Sequence, residues 1–408
     1  MDILFLHPNF PGQFLRLSEA LSRMDGFTVT TLGAVDRPNS YPPIGRQLQY
    51  PPPAKAGEQT QALLKHFDES LNRGLAVNKL LLEQKRSGYE PEVIFVHPGW
   101  GDGLFLKDIY PNATIIGLFE YFYSAHGADV GFDPEFPRRL ADLYRLRIQN
   151  TVHLHALNSC DIRISPTHWQ HSRFPAIYQN EIQVLHEGID TDRVVPNKNA
   201  ALRLPDGTVL SAGDEVLTYV ARGLEPYRGF HQFIRALPEI LRRRNECQVL
   251  IVGGEKSHYG SEPTDADSWK EYFLKELGTA LDLSRVHFLG KLPYEVYLRV
   301  LQISRLHIYM TYPFVLSWSM LEAMSAGCLI LASNTPPVAE FIENGKNGLL
   351  FPFFDQQALV ENAVAALSEP ERFTKLARKA RADIRKHYDF KKVILPAHLE
   401  LLDALKSH

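Results

Sequence analysis

Along most of the chain, short runs of consecutive apolar residues alternate with longer stretches whose apolar positions recur every three or four residues. In the first half the runs fall at 3–6, 29–32, 93–96, 114–118, 162–165 and 183–185. In the second half they fall at 216–222, 249–252, 286–289, 306–310, 329–332 and 349–351. These runs do not alternate with polar residues, so each predicts a strand covered on both faces, as in a parallel sheet. The stretches between them predict helices. The longest spans 61–86, with Leu64, Phe67, Leu71, Leu75 and Leu82 at helical steps. Strand–helix–strand order at this spacing predicts parallel sheets joined by right-handed crossovers. Twelve strands are too many for one comfortable sheet, so the expected fold class is α/β with two Rossmann-like domains.

The boundary shows as a change of texture. Residues 190–214 are rich in Pro, Asn, Asp and Gly and lack a helical period, which predicts a linker with a small turn or hairpin. The first domain is therefore expected at 1–195 and the second at 196–388. A last helix, from about 390 to 405, follows the final strand; it is expected to pack back on the first domain, so 389–408 is grouped there.

Composition narrows the class. With 408 residues, 45% hydrophobic and 22% charged, the chain is ordinary globular protein rather than disordered or fibrous. Lys+Arg is 44 and Asp+Glu 47, a net charge of −3, so no nucleic-acid partner is expected. Cys160, Cys247 and Cys328 are far apart and odd in number, which excludes a disulfide framework and suits a reducing compartment. The N-terminus has no basic segment ahead of its apolar residues, and no apolar run reaches the ~18 residues of a membrane span. A soluble cytoplasmic protein is expected.

Two segments carry candidate chemistry. In the first, Arg222 ends a buried strand, a turn with Gly223 and Pro226 follows, and Arg228 and Gly229 precede a helix near 230. The carboxyl end of a parallel strand is where open α/β sheets bind ligands. A guanidinium fork that stays charged suits a diphosphate there. The alternative is a solvated pair, or ion pairs with acids such as Glu225; the placement favours the ligand. In the second segment a strand ends near Met310, and a short helix starts around Ser317 and closes at Gly327. The first free amides, at Val315, Leu316 and Ser317, are expected to face an anion. Glu322, one turn in, can accept hydrogen bonds from a ribose diol. Its spacing from Ser319 also fits a capping box, and both readings stay open.

First-domain candidates lie at the ends of other strands. Glu120 follows the strand at 114–118, with His126 further on; His97 opens the loop 97–102; Asn9 and Gly12 lie in the first loop. Each also admits a structural reading, as a cap, a hydrogen-bonded histidine or a simple turn. No metal is expected: His153 and His155 would point to different helix faces, and His168 and His171 lack an acidic or Cys partner. A helix over 137–158, carrying Arg138, Arg139, Arg145 and Arg147, could rest on an anionic membrane, but a solvated face is the favoured reading.

These residues together resemble the retaining glycosyltransferases of family four, which have the GT-B fold. That family's second domain has an Arg before a Gly-Leu-type turn, a second basic residue before a Gly, and a Glu-x7-Glu element ending in Leu-Glu-Ala-Met. Here the matching positions are Arg222, Arg228 with Gly229, and Leu321-Glu322-Ala323-Met324. Val252-Gly253-Gly254, Leu289-Gly290 before Pro293, Glu340 and Asn347-Gly348 are similar as well. In the first domain, residues 7–14 resemble the glycine-containing first loop, and His186-Glu187-Gly188-Ile189-Asp190 the interdomain segment. The family's first Glu falls at position 314, which is Phe314 here.

The resemblance implies sheets facing across a cleft and transfer of a hexose-type sugar from a nucleoside-diphosphate sugar, with retention and without a metal or other cofactor. Glycan or glycoconjugate synthesis is the implied setting. The acceptor would be a glycan, glycolipid or small molecule, with peripheral membrane contact open. Arg222, Arg228 and Glu120 are the implied catalytic residues, Glu120 standing in for the carboxylate absent at Phe314. Gly12, Gly229, Gly253, Gly290, Phe314, Val315, Leu316, Ser317 and Glu322 would line the donor, and Asn9, His97 and His126 the acceptor side. The alternatives are a sugar-nucleotide epimerase of the same architecture, or a non-catalytic nucleotide-sugar-binding partner.

Overall fold

The computed structural model describes residues 1–35 and 42–406. The chain divides into two compact units, Met1–Glu187 with Ile394–His408, and Gly188–Val393. The segment 188–195 thus lies in the second unit, because Ile189 and Val194 are fully buried in that unit's core.

The first unit is built on seven strands: β1 (Asp2–Leu6), β2 (Thr28–Ala34), β3 (Arg46–Tyr50), β4 (Val93–Val96), β5 (Thr114–Leu118), β6 (Ile162–Ser165) and β7 (Ile182–Val184). They pair in the order β3-β2-β1-β4-β5-β6-β7, and every pairing is parallel. Sequence reading misses β3. It is an edge strand, RQLQY, that buries only Tyr50 fully, so it lacks the apolar run that marks a central strand.

The long helix runs Lys65–Arg86, and its leucine stripe is the wrong face. Leu64, Leu75 and Leu82 are exposed, whereas Ser70, Gly74, Val77 and Leu81 are buried. The inward face needs small residues because a loop crosses it: a Cβ on Gly74 would lie 2.8 Å from the Gly101 carbonyl oxygen. Val77 and Leu81 join Ile94, Val96 and Ile115 in the core, with Ala156 and Leu157 from a second helix, Leu140–Ser159. On that helix His153 is buried and His155 exposed, as their two-residue spacing predicts. The last helix, Leu395–Leu405, belongs to this unit, with the His398 ring 6.0 Å from that of Phe95. The grouping 389–408 differs from this at both ends: 389–393 falls in the second unit, and 407–408 lies outside the described residues.

The second unit opens with a hairpin of β8 (Ala201–Arg203) and β9 (Val209–Ser211), the turn-rich part of the linker. Its sheet comprises β10 (Val216–Gly223), β11 (Gln248–Gly254), β12 (Val286–Gly290), β13 (Leu306–Tyr309), β14 (Leu329–Ser333) and β15 (Leu349–Phe351). The order is β12-β11-β10-β13-β14-β15, again all parallel. All three cysteines are free and buried, and burial pushes each thiol up to about 12. Among the described residues no helix is long and apolar enough to cross a membrane.

Candidate functional site

In the second unit the site residues gather at the carboxyl ends of β10, β11 and β13. Arg228 follows β10 in a turn that its own backbone closes, and Tyr219 donates its hydroxyl hydrogen to the Arg228 carbonyl at 2.6 Å. The next residue, Gly229, has φ +69°, and a Cβ there would lie 2.4 Å from that of Met310. Glycine is therefore required twice over, by conformation and by space. Arg228 is 6% exposed, and its guanidinium donates to Thr311 Oγ1 at 3.1 Å and to the Val315 carbonyl at 2.8 Å. It lies 5.3 Å from the Tyr259 ring centre and 5.7 Å from that of Phe314.

Arg222 is different: it is exposed at the end of β10. Ion pairing to Glu225 holds neither arginine. Glu225 is fully buried and accepts from the backbone amides of His258 and Tyr259 instead. Burial pushes the Glu225 carboxyl up. Burial, then Arg222, Lys291 and Lys256, push the His258 imidazole down to about 4, which places three further cations at this edge. Gly253 lets β11 approach closely, since a Cβ would stand 2.7 Å from the Ala221 carbonyl oxygen.

Phe314 is buried in an aromatic cluster, its ring 4.7 Å from that of Tyr259 and 5.6 Å from that of Tyr227. The helix beyond it is Trp318–Ala326, capped by Ser317, whose hydroxyl accepts from the Ser319 amide. Its initial amides are only partly available. Ser317 donates its amide to Tyr309 Oη at 2.8 Å, while those of Val315 and Leu316 donate to none of the described residues. The capping-box reading of Glu322 is corrected: the cap is Ser317, and the Glu322 carboxylate accepts instead from Tyr294 and Tyr297. Gly290 ends β12 just before the helix that carries those tyrosines.

The first unit assembles its own cluster at the carboxyl ends of β1, β4 and β5. Gln13 donates to Glu120 Oε1 at 2.7 Å, and His97 Nε2 lies 3.4 Å from Glu120 Oε2. Burial would raise the Glu120 carboxyl, but the His97 and Gln13 hydrogen bonds outweigh it and hold the group below the usual carboxylate range. The Asn9 amide donates to His7 Nδ1 at 2.9 Å, and a Cβ on Gly12 would lie 2.6 Å from the His7 ring. The His7 and His97 rings are 5.4 Å apart. Asn9, Gly12, His97 and Glu120 thus come together. His126 does not join them: it is exposed, 3.0 Å from Arg138, because the chain after Tyr121 runs out to the surface. Sequence reading also misses His7, Gln13, Thr311, Tyr294 and Tyr297. The first two lie in or beside the first loop, and only proximity in space singles out the others.

Two Rossmann-like parallel sheets, one with a buried arginine at its carboxyl edge, make this a GT-B protein. The fold matches sucrose-phosphate synthase from Thermosynechococcus elongatus with a TM-score of 0.75 at 16% identity, over 100% of both chains. It matches Anabaena HepE in complex with UDP and glucose at 0.69 and 18% identity, over 99% of this chain and 100% of that one. Residues 25–194 match the glycosyl transferase family 4 group, and residues 205–383 match glycosyl transferases group 1. The chain belongs to the group 1 glycosyltransferases.

Its sequence is 29% identical over 146 residues to a GDP-mannose-dependent phosphatidylinositol monomannoside mannosyltransferase of Mycolicibacterium smegmatis, covering 35% of each chain. It is 25% identical over 235 residues to spore coat protein SA of Bacillus subtilis, covering 54% of this chain. The matched stretches span 35% and 58% of those two relatives' own lengths.

Proposed function

We propose that the chain transfers a hexose-type sugar from a nucleoside-diphosphate sugar to an acceptor hydroxyl, with retention of configuration and without a metal ion. The observation that carries this reading is Arg228, a buried cation whose donors, among the described residues, meet only neutral oxygens and aromatic rings. A leaving diphosphate would supply the missing anion, and Arg222, Lys256 and Lys291 would add to the field. The amides of Val315 and Leu316 would donate to the same anion. Glu322 would accept from the ribose diol. In the transfer, the bond from the anomeric carbon to the phosphate oxygen breaks. The acceptor oxygen bonds to that carbon on the same face, and its proton passes to the departing phosphate, so no side-chain base is required.

Glu120, His97, Gln13 and Asn9 would serve sugar hydroxyls of donor or acceptor in the first unit. The named relatives support the donor class: one is GDP-mannose-dependent, and HepE is in complex with UDP and glucose. The acceptor is a glycan, glycolipid or small molecule. A cytoplasmic location with peripheral membrane contact belongs to the same reading, supported by exposed Leu140, Tyr144 and Arg147 on the helix Leu140–Ser159. Phe314, in place of a carboxylate, favours as the second reading a protein that binds a nucleotide sugar without turning it over. A thermal-shift screen against UDP, GDP, ADP and their sugars, followed by assay of transfer or donor hydrolysis, separates the two. Stabilisation with turnover supports the first, stabilisation without turnover the second, and no stabilisation overturns both.

A further inference from the structure

The outward leucines of the helix Lys65–Arg86 are not scattered. With Leu64, whose backbone at the N-cap is already helical, they stand at 64, 71, 75 and 82. At 100° per residue these four fall within about 40° of one another around the axis, in a row about 27 Å long. Leu71 is half-buried, but Leu64 is 40% exposed, Leu75 50% and Leu82 37%. Single apolar residues at a surface need no explanation, whereas an aligned row marks an interaction face. The loop ahead of the helix bonds to the polar flank beside the row: Thr60 donates to Asp68 at 3.0 Å, and Asn72 to the Ala54 carbonyl at 3.3 Å.

The order of the row identifies its partner. Its steps of seven, four and seven residues read the same in both directions, with the midpoint at residue 73. An identical helix turned end for end about that point sets Leu64 against Leu82 and Leu71 against Leu75, the self-complementary contact of a two-fold dimer. In such a pair each flank of one helix faces the same flank of the other. The charges obey the same symmetry. Lys65 and Glu83, both exposed, are eighteen residues apart, which is five full turns, so they share a flank and meet as opposite charges. Asp68 and Lys79, about three turns apart on that flank, do likewise.

We propose that this face docks on the same face of a second copy of the chain, the two helices lying antiparallel about a two-fold axis near residue 73. Leucine pairs form the centre of the contact, and Lys65–Glu83 and Asp68–Lys79 pairs between the copies form its rim and fix the direction of pairing.

Sedimentation of the full chain over a concentration series tests it. The mass is expected to rise from one chain toward two. Leu75→Glu, at an exposed position beside the axis, should weaken association at least ~10-fold, since it puts an unpaired charge into the covered row of both copies. Lys65→Glu and Glu83→Lys should each weaken it about fivefold, through two like-charge contacts per dimer. Mixed in equal amounts, those two variants should associate as tightly as the wild type, because each meets its opposite at both contacts. A mixture no tighter than its components overturns the antiparallel geometry, and a dimer that Leu75→Glu leaves intact overturns the face. A wild type that stays monomeric throughout overturns the dimer; co-sedimentation with anionic vesicles, lost in Leu75→Glu, would then give the row to a membrane. Should Leu75→Glu fail to fold by circular dichroism, Leu82→Glu at the end of the row decides instead.

Discussion

Arg228 is a cation held out of water with no carboxylate in hydrogen-bonding contact among the described residues, an arrangement that is costly unless something compensates it. Arg228→Met is therefore expected to leave the melting temperature of the free protein equal or higher, since an apolar chain of similar length replaces an unpaired charge. The same change should slow transfer at least ~100-fold, or ~3 kcal/mol of lost charge stabilisation. A variant that loses stability yet keeps turnover would reverse this reading of the residue. Glu120 is the second single-residue case. It is a quarter exposed, and its carboxylate is held charged by His97 and Gln13. Glu120→Ala should impair sugar transfer while leaving nucleoside-diphosphate affinity within about twofold. Wild-type transfer by this variant would return Glu120 to a structural role.

Among the elements, the turn from β10 into the helix Phe230–Arg243 has the least tolerance. Gly229 combines a left-handed backbone with a neighbour too close for any Cβ. Gly229→Ala is expected to cost roughly 2–4 kcal/mol, from strained backbone and overpacking together. Denaturant titration measures it, and an unchanged midpoint would mean that Met310 gives way freely. The helix Lys65–Arg86 shows the opposite relation between pattern and packing. Its most conspicuous apolar residues face outward, while Ser70 and Gly74 face inward to admit the Gly101 loop. Hydrophobic periodicity detects the element correctly and misassigns its face, because burial there is set by how close a neighbouring backbone comes.

For the molecule as a whole, stability should depend on pH through its buried imidazoles. Burial pushes His153, His186 and His307 down to about 3 and His398 to about 4. Below about 6.5 the unfolded chain protonates these groups and the folded chain does not, so stability falls as pH drops. Asp102 acts in the other direction. Burial pushes its carboxyl up to about 6, so between about 6 and 4 the folded chain holds a proton that the unfolded chain releases. His66 and His258 are pushed down as well and Glu225 up, so six imidazoles against two carboxyls give a melting temperature that falls from pH 7 to pH 5. Asp102→Asn should steepen that fall by removing the offset; a flat profile in the wild type would contradict the argument. Transfer activity is expected to survive EDTA, because Arg228, Arg222, Lys256 and Lys291 would supply the positive field that a divalent ion otherwise brings. Complete loss with EDTA, restored by Mg²⁺ or Mn²⁺, would show otherwise.

What the chain's linear pattern determines here is the parallel α/β class, twelve of the strands and the strand ends where the candidate residues gather. Those features are local: a buried parallel strand must be apolar along its length, and ligand loops must follow its carboxyl end. The polar edge strand β3 and the inward face of Lys65–Arg86 escape such reading, since a partner elsewhere in the chain decides them. The role of Glu322 shows the same limit. Sequence spacing allowed a cap or a ligand contact; only the tertiary structure brings Tyr294 and Tyr297, 28 and 25 residues away, onto its two oxygens. Hydrogen bonds between distant elements carry no spacing rule, so they become visible only when the sheet and its crossover helices set the distances.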